Sequence, residues 1–146
     1  MKKHFIIALC AVILAFASGC GRYVVQYTAP VVIAMTPAEG TTGVPSNESL
    51  VVQFSKSMST TNMDIAGVIA RVKYASDMNA VATYDAALTP EAVWSSDNSI
   101  LTINNMRFVS SDAGAIVHIV ASKDAFVDVN GLYLPENTEL WNYKLQ

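Results

Sequence analysis

The chain has 146 residues, nine of them basic and 12 acidic, with 52% hydrophobic residues and a formal net charge of −3. That length suits a single domain. Lys and Arg form no cluster, which argues against nucleic acid as a partner, because phosphate binding needs grouped cations to displace counterions.

The first element is a targeting segment. Lys2 and Lys3 precede the apolar run IIALCAVILAFA, and Ser18 and Gly19 make a small-residue exit. These are the parts of a secretory signal peptide. The run is short of the roughly 20 apolar residues that a membrane-spanning helix needs. The stretch ASGC at Ala17–Cys20 resembles a bacterial lipobox, with Ala17 where Leu is usual. The resemblance implies cleavage between Gly19 and Cys20, a diacylglycerol on the Cys20 thiol and acylation of the new amine. Each buried CH₂ contributes about 0.8 kcal/mol, so two or three acyl chains hold firmly where one does not. Gly21 follows the cysteine, where Asp would imply retention at the inner membrane, so the resemblance implies a lipid anchor in the cell outer membrane. Cys10 leaves with the signal and Cys20 is capped, which removes both cysteines from disulfide, nucleophile or metal-ligand chemistry.

Without its 19 signal residues the chain keeps 127, and without Lys2 and Lys3 it has seven basic residues against 12 acidic ones, a net charge of −5. Residues 20–30 read as a lipidated tether and 31–146 as one domain. In chain order the strand candidates are VVIAM (31–35), SLVVQFS (49–55), GVIARVKY (67–74), AVATY (80–84), EAVWS (91–95), SILTIN (99–104), AIVHIVAS (115–122) and LWNYKLQ (140–146). Leu50, Val52 and Phe54 share one face of the second, and Trp141, Tyr143 and Leu145 one face of the last. SSDN (95–98) makes a turn between two strands, predicting a hairpin. The segment 115–122 is apolar on both faces, as a covered central strand is. Only STTNMDIA (59–66) has a helical look. Short strands separated by Pro, Gly and Asn turns predict an all-β sandwich or barrel.

The stretch MTPAEGTTGVPSNESLVVQFSKSM at 35–58, followed by WSSDNSILTI, AIVHIVAS and DVNG (128–131), resembles the bacterial Ig-like domains of the surface-layer-protein type. The order of Asn130 and Gly131 is the reverse of the family's, and the strand at 115–122 lacks the usual Tyr. The resemblance implies an Ig-like antiparallel β-sandwich of about seven strands over residues 31–146. It also implies a non-enzymatic structural or protein-binding role in the cell envelope, without a cofactor. The partners expected are the membrane, through the N-terminal lipid, and an envelope protein. The alternative is a module that binds glycan or cell wall through exposed aromatics.

Candidate chemistry is sparse. His118 is the one histidine beyond the signal, and mid-strand among Val and Ile it reads as a hydrogen-bonded sheet residue rather than a general base. Zinc would need three or four N, S or O ligands. Asp124, Asp128 and Asn130, with Asp112, could offer oxygens to calcium, but an EF-hand frame with Gly131 at its sixth position puts a ligand at Phe126, which cannot coordinate. The competing reading has Asp128 bonding nearby backbone N–H groups and Asn130-Gly131 taking positive φ. Trp94, Trp141, Tyr133 and Tyr143 could form a stacking platform, and more simply pack inside. Glu91 and Asp97 lie among scattered acids, with no pair set apart for hydrolysis.

Overall fold

A computed structural model describes residues 27–61, 63, 66–68, 72–74, 83–84, 88–109 and 114–146, with only the backbone of 72–74, 83–84 and 109. Residues 1–19, Cys20, the tether to residue 26, Asp112, and residues 69–71 and 80–82 of two expected strands lie outside the described residues.

The described strands are β1 Val32–Thr36, β2 Leu50–Phe54, β3 Val72–Tyr74, β4 Thr83–Tyr84, β5 Glu91–Trp94, β6 Ile100–Asn104, β7 Phe108–Val109, β8 Ile116–Ala121 and β9 Glu139–Lys144. They form an antiparallel sheet in the order β1-β2-β6-β5, a second in the order β3-β8-β9, and the pair β4-β7. Setting aside that pair, seven strands in these two orders reproduce the A-B-E-D and C-F-G sheets of an immunoglobulin sandwich. The fold is an all-β, Ig-like sandwich.

Sequence alternation accounts for most of the framework. Leu50, Val52 and Phe54 are buried while Val51 and Gln53 are half-buried, and Leu101 and Ile103 do the same on β6. The β5–β6 hairpin closes through the turn at 95–98, with Ser95 N–H donating to Ile100 O at 2.9 Å. Strand β8 is the middle of its sheet, as its two apolar faces predict. On β9, Trp141 and Tyr143 are buried together, and Leu145 just beyond it is buried too.

Two expectations are corrected. Residues 67–74 do not form one strand: Gly67 and Val68 are helical, and of the described residues in this segment Val72–Tyr74 are extended. The helix expected at 59–66 has Ser59 and Thr60 outside it, and the described helical residues begin at Ala66. Alternation over a few residues fits a strand and a short helical turn equally, and the buried Val68 serves the core from the helical turn.

After β1 the chain leaves the first sheet through the cis Thr36–Pro37 peptide and runs beside β9. Gly40 N–H donates to Asn142 O at 2.8 Å, Lys144 N–H to Thr41 O at 2.8 Å and Val44 N–H to Lys144 O at 3.0 Å. A strand edge left open invites pairing with other chains, and this segment covers the edge of β9.

The inner faces of both sheets merge in one core. Phe54 is its hinge: its ring lies 6.0 Å from that of Trp94 at 21° and 5.7 Å from that of Phe126 at 35°. The Trp141 indole N–H, buried on β9, donates to the Val51 carbonyl of the facing sheet at 3.1 Å. A buried indole needs such an acceptor. Phe54→Ala is expected to destabilise the domain by about 3–5 kcal/mol, the range for a buried Phe that leaves a cavity. The midpoint of urea unfolding checks it, with a fall expected at unchanged slope.

Candidate functional site

The chain beyond strand β8 folds into a small hairpin at 126–134. Leu134 N–H donates to Phe126 O at 2.7 Å, Asp128 N–H to Leu132 O at 2.9 Å and Gly131 N–H to Asp128 O at 3.0 Å. That is a turn over 128–131 with Gly131 at φ 82°, a conformation that costs glycine nothing. Asn130 is not among the positive-φ residues, so only half of the expected Asn-Gly conformation is present.

Asp128 organises this hairpin from inside. Its residue is 1% exposed, and its Oδ1 accepts the N–H groups of Asn130 and Leu132, both at 2.9 Å. Its Oδ2 lies 3.7 Å from Lys56 Nζ, and Lys56 Nζ also donates to the carbonyl of Thr28. Burial pushes the Asp128 pKa up; the N–H bonds from Leu132 and Asn130, a side-chain bond from Asn130 and the Lys56 charge outweigh it, and the pKa falls below the ordinary value.

The hairpin is docked against the chain that follows β2. Met58 and Asp128 form an antiparallel bridge, Ser59 N–H donates to Val127 O at 2.8 Å and Val129 N–H to Ser57 O at 3.2 Å. The two motifs that carry the family resemblance, FSKSM and DVNG, are therefore bonded to each other. The sequence profile of the bacterial Ig-like domain family matches residues 26–144. The chain belongs to that family. No curated protein and no solved structure matches it.

The Ig-like domain places the remaining candidates apart. Asp124 is exposed in the turn after β8, at φ 53°, while Asn130 meets Asp128 through its backbone N–H. A calcium ion at Asp128 would compete with two N–H groups for Oδ1 and meet the Lys56 charge at Oδ2. Among the described residues no three His, Cys, Asp or Glu are grouped to hold a metal. Trp141 and Tyr143 are core, Trp94 is half-buried with its indole N–H on Met63 O at 3.2 Å, and Tyr133 is exposed at 51%. The four aromatics form no common platform. Glu91 opens β5 while Asp97 lies in the turn beyond its other end, and Asp97 spends its carboxylate on Ser95 and Ser99 in the turn. Those bonds, that of the Ser95 hydroxyl foremost, lower its pKa.

The two outer faces of the sandwich differ in charge. On β8 and β9, His118 Nε2 lies 3.0 Å from Glu139 Oε2, which also accepts from Asn142 Nδ2 at 3.0 Å, and Lys144 is exposed beside them. His118 is thus the hydrogen-bonded sheet residue expected. The outer face of β1-β2-β6-β5 is different. Its rows read Thr36, Val51, Thr102, Val93 and then Ala34, Gln53, Ile100, with exposed Ile33 at the bulge in β1. Glu91, on the far edge, is the one charged residue in those four strands. Solvent-facing sheet surfaces are ordinarily polar, so this face is the candidate docking surface. Neither Lys56 nor the face emerges from searching for catalytic residue types; counting charges strand by strand would have found the face.

The lowered pKa of Asp128 sets a pH dependence. Its contribution to stability is complete above the ordinary value of 3.8 and is lost as pH falls through the lower folded value. Asp128→Asn should flatten this acid limb, and Asp128→Ala should lower the urea midpoint further than Asn does. Urea midpoints between pH 2 and 6 read both effects.

Proposed function

We propose that this chain is an envelope lipoprotein whose single Ig-like domain is a non-enzymatic docking module for another envelope protein. In this reading residues 1–19 are removed, Cys20 carries the lipid, and the anchor lies in the outer membrane, consistent with Gly21 after the cysteine. The observation that carries the docking role is the outer face of β1-β2-β6-β5, with Glu91 as its one strand charge. Depletion of charge with retained apolar and Thr side chains is the composition of an interface core. The glycan reading is weaker, because of the four candidate aromatics Tyr133 alone is exposed.

Site-specific photo-crosslinking in living cells tests the role. A photoreactive residue at Thr102 should give one recurrent protein adduct, and the same residue at Asn142 on the opposite face should not. Adducts of equal yield and identity from both positions, or none from either together with retention on isolated cell wall, would reject protein docking by this face. Cys20→Ser should leave the signal uncut at residue 19 and shift most of the protein out of the outer-membrane fraction, held at the inner membrane by its uncut apolar signal. Unchanged fractionation would remove the anchor from the reading.

A further inference from the structure

A second surface, at one end of the sandwich, points to the membrane itself. Of the exposed large apolar residues, Tyr27 (59%), Val31 (50%), Val129 (63%) and Tyr133 (51%) belong to just two short segments, the entry segment 27–31 and the hairpin at 126–134. Both are bonded to the same stretch of chain after β2. Ser55 N–H donates to Val31 O at 2.8 Å, Val31 N–H to Ser55 Oγ at 3.0 Å and Lys56 Nζ to Thr28 O, while Val129 N–H reaches Ser57 O at 3.2 Å. Both segments are therefore fixed to the same end of the domain, where the tether enters.

We infer that this end of the domain rests on the bilayer interface of the membrane that holds the Cys20 lipid, with Tyr27, Val31, Val129 and Tyr133 as the contact. The inference rests on the anchored reading above. Seven residue steps separate Cys20 from Tyr27, so Tyr27 lies within about 25 Å of the acylated residue even when the tether is fully extended, at roughly 3.3–3.6 Å per residue. An apolar patch so close to a bilayer has that bilayer as its nearest neighbour. Tyrosine suits the headgroup level, with an apolar ring and a polar tip. Charge favours the same orientation. Residues 27–31 contain no acid, and the one acid of the hairpin, Asp128, is turned inside. The chain beyond residue 19 as a whole carries a net charge of −5, which an anionic leaflet repels.

The test uses the full lipidated protein in vesicles of phosphatidylethanolamine and phosphatidylglycerol. With Cys20 capped, Val129→Cys or Tyr27→Cys supplies a single thiol for an environment-sensitive fluorophore. Glu39→Cys, exposed beyond the far end of β1, is the comparison. Labels at 129 and 27 should be blue-shifted and quenched several-fold more by nitroxide lipid than the label at 39. Equal quenching at all three positions, with lipid found by mass on the N-terminal peptide, overturns the seating and leaves the anchor intact. An N-terminal peptide without lipid overturns anchor and seating together. Protection from aqueous iodide without quenching by nitroxide lipid assigns the patch to a second copy or a protein partner, and also overturns the seating.

Discussion

Two sheets face each other here across one apolar core, and a hydrogen bond from a buried indole crosses between them. Trp141 belongs to β9, yet its indole N–H is satisfied by the carbonyl of Val51 on β2. Apolar burial alone would tolerate a slide of one sheet over the other, because it is non-directional. An indole buried without an acceptor is costly, so the bond selects one alignment. Phe54, between Trp94 and Phe126, then fills the layer and carries the alignment to the hairpin end of the domain. Immunoglobulin domains commonly use an inter-sheet disulfide beside a buried Trp. In this chain both cysteines lie at or before position 20, and the tryptophan works with phenylalanines instead.

Asp128 applies the same logic at smaller scale. A three-residue hairpin tip has little area with which to hold itself. Its shape comes instead from a carboxylate that accepts two backbone N–H groups and leaves its other oxygen facing Lys56. Lys56 in turn holds Thr28, so the conformation of the hairpin and the direction in which the tether arrives share one charged link. Residues that look like metal ligands in the sequence are used here for backbone order.

Strands with strong alternation and fixed turns were legible: β2, β6 and β9 and the β5–β6 hairpin follow from side-chain period and turn residues alone. The failures have physical causes. In β1 a bulge between Val32 and Ala34 turns both Ile33 and Ala34 outward, which breaks the period of two. Gly67 and Val68 satisfy the core from a helical turn because a single buried Val does not report its backbone. Strand β7 covers two of the described residues, too few to leave a pattern, although Phe108 within it is fully buried. The candidate docking surfaces were less visible still. They are defined by charges that are missing and by apolar residues that the fold leaves outside, and both depend on which face a residue occupies.

That asymmetry has a consequence for how an anchored domain presents itself. An exposed apolar sheet face risks indiscriminate association in a freely diffusing protein. A tether changes the terms, because it fixes orientation and restricts encounters to partners in the same membrane, raising their effective concentration. Strand β1 leaves the tether end at Val31 and runs to Thr36, about 17 Å at 3.3–3.4 Å per residue. With the tether end seated on lipid, the β1-β2-β6-β5 face would extend away from the bilayer along its strands, at a height reachable by the domain of a neighbouring lipoprotein. The charged face with His118, Glu139 and Lys144 would then look toward solvent on the other side. One end for the membrane and one face for a partner is an economical division for so small a domain, and it requires no chemistry from the acids and the histidine beyond holding the fold.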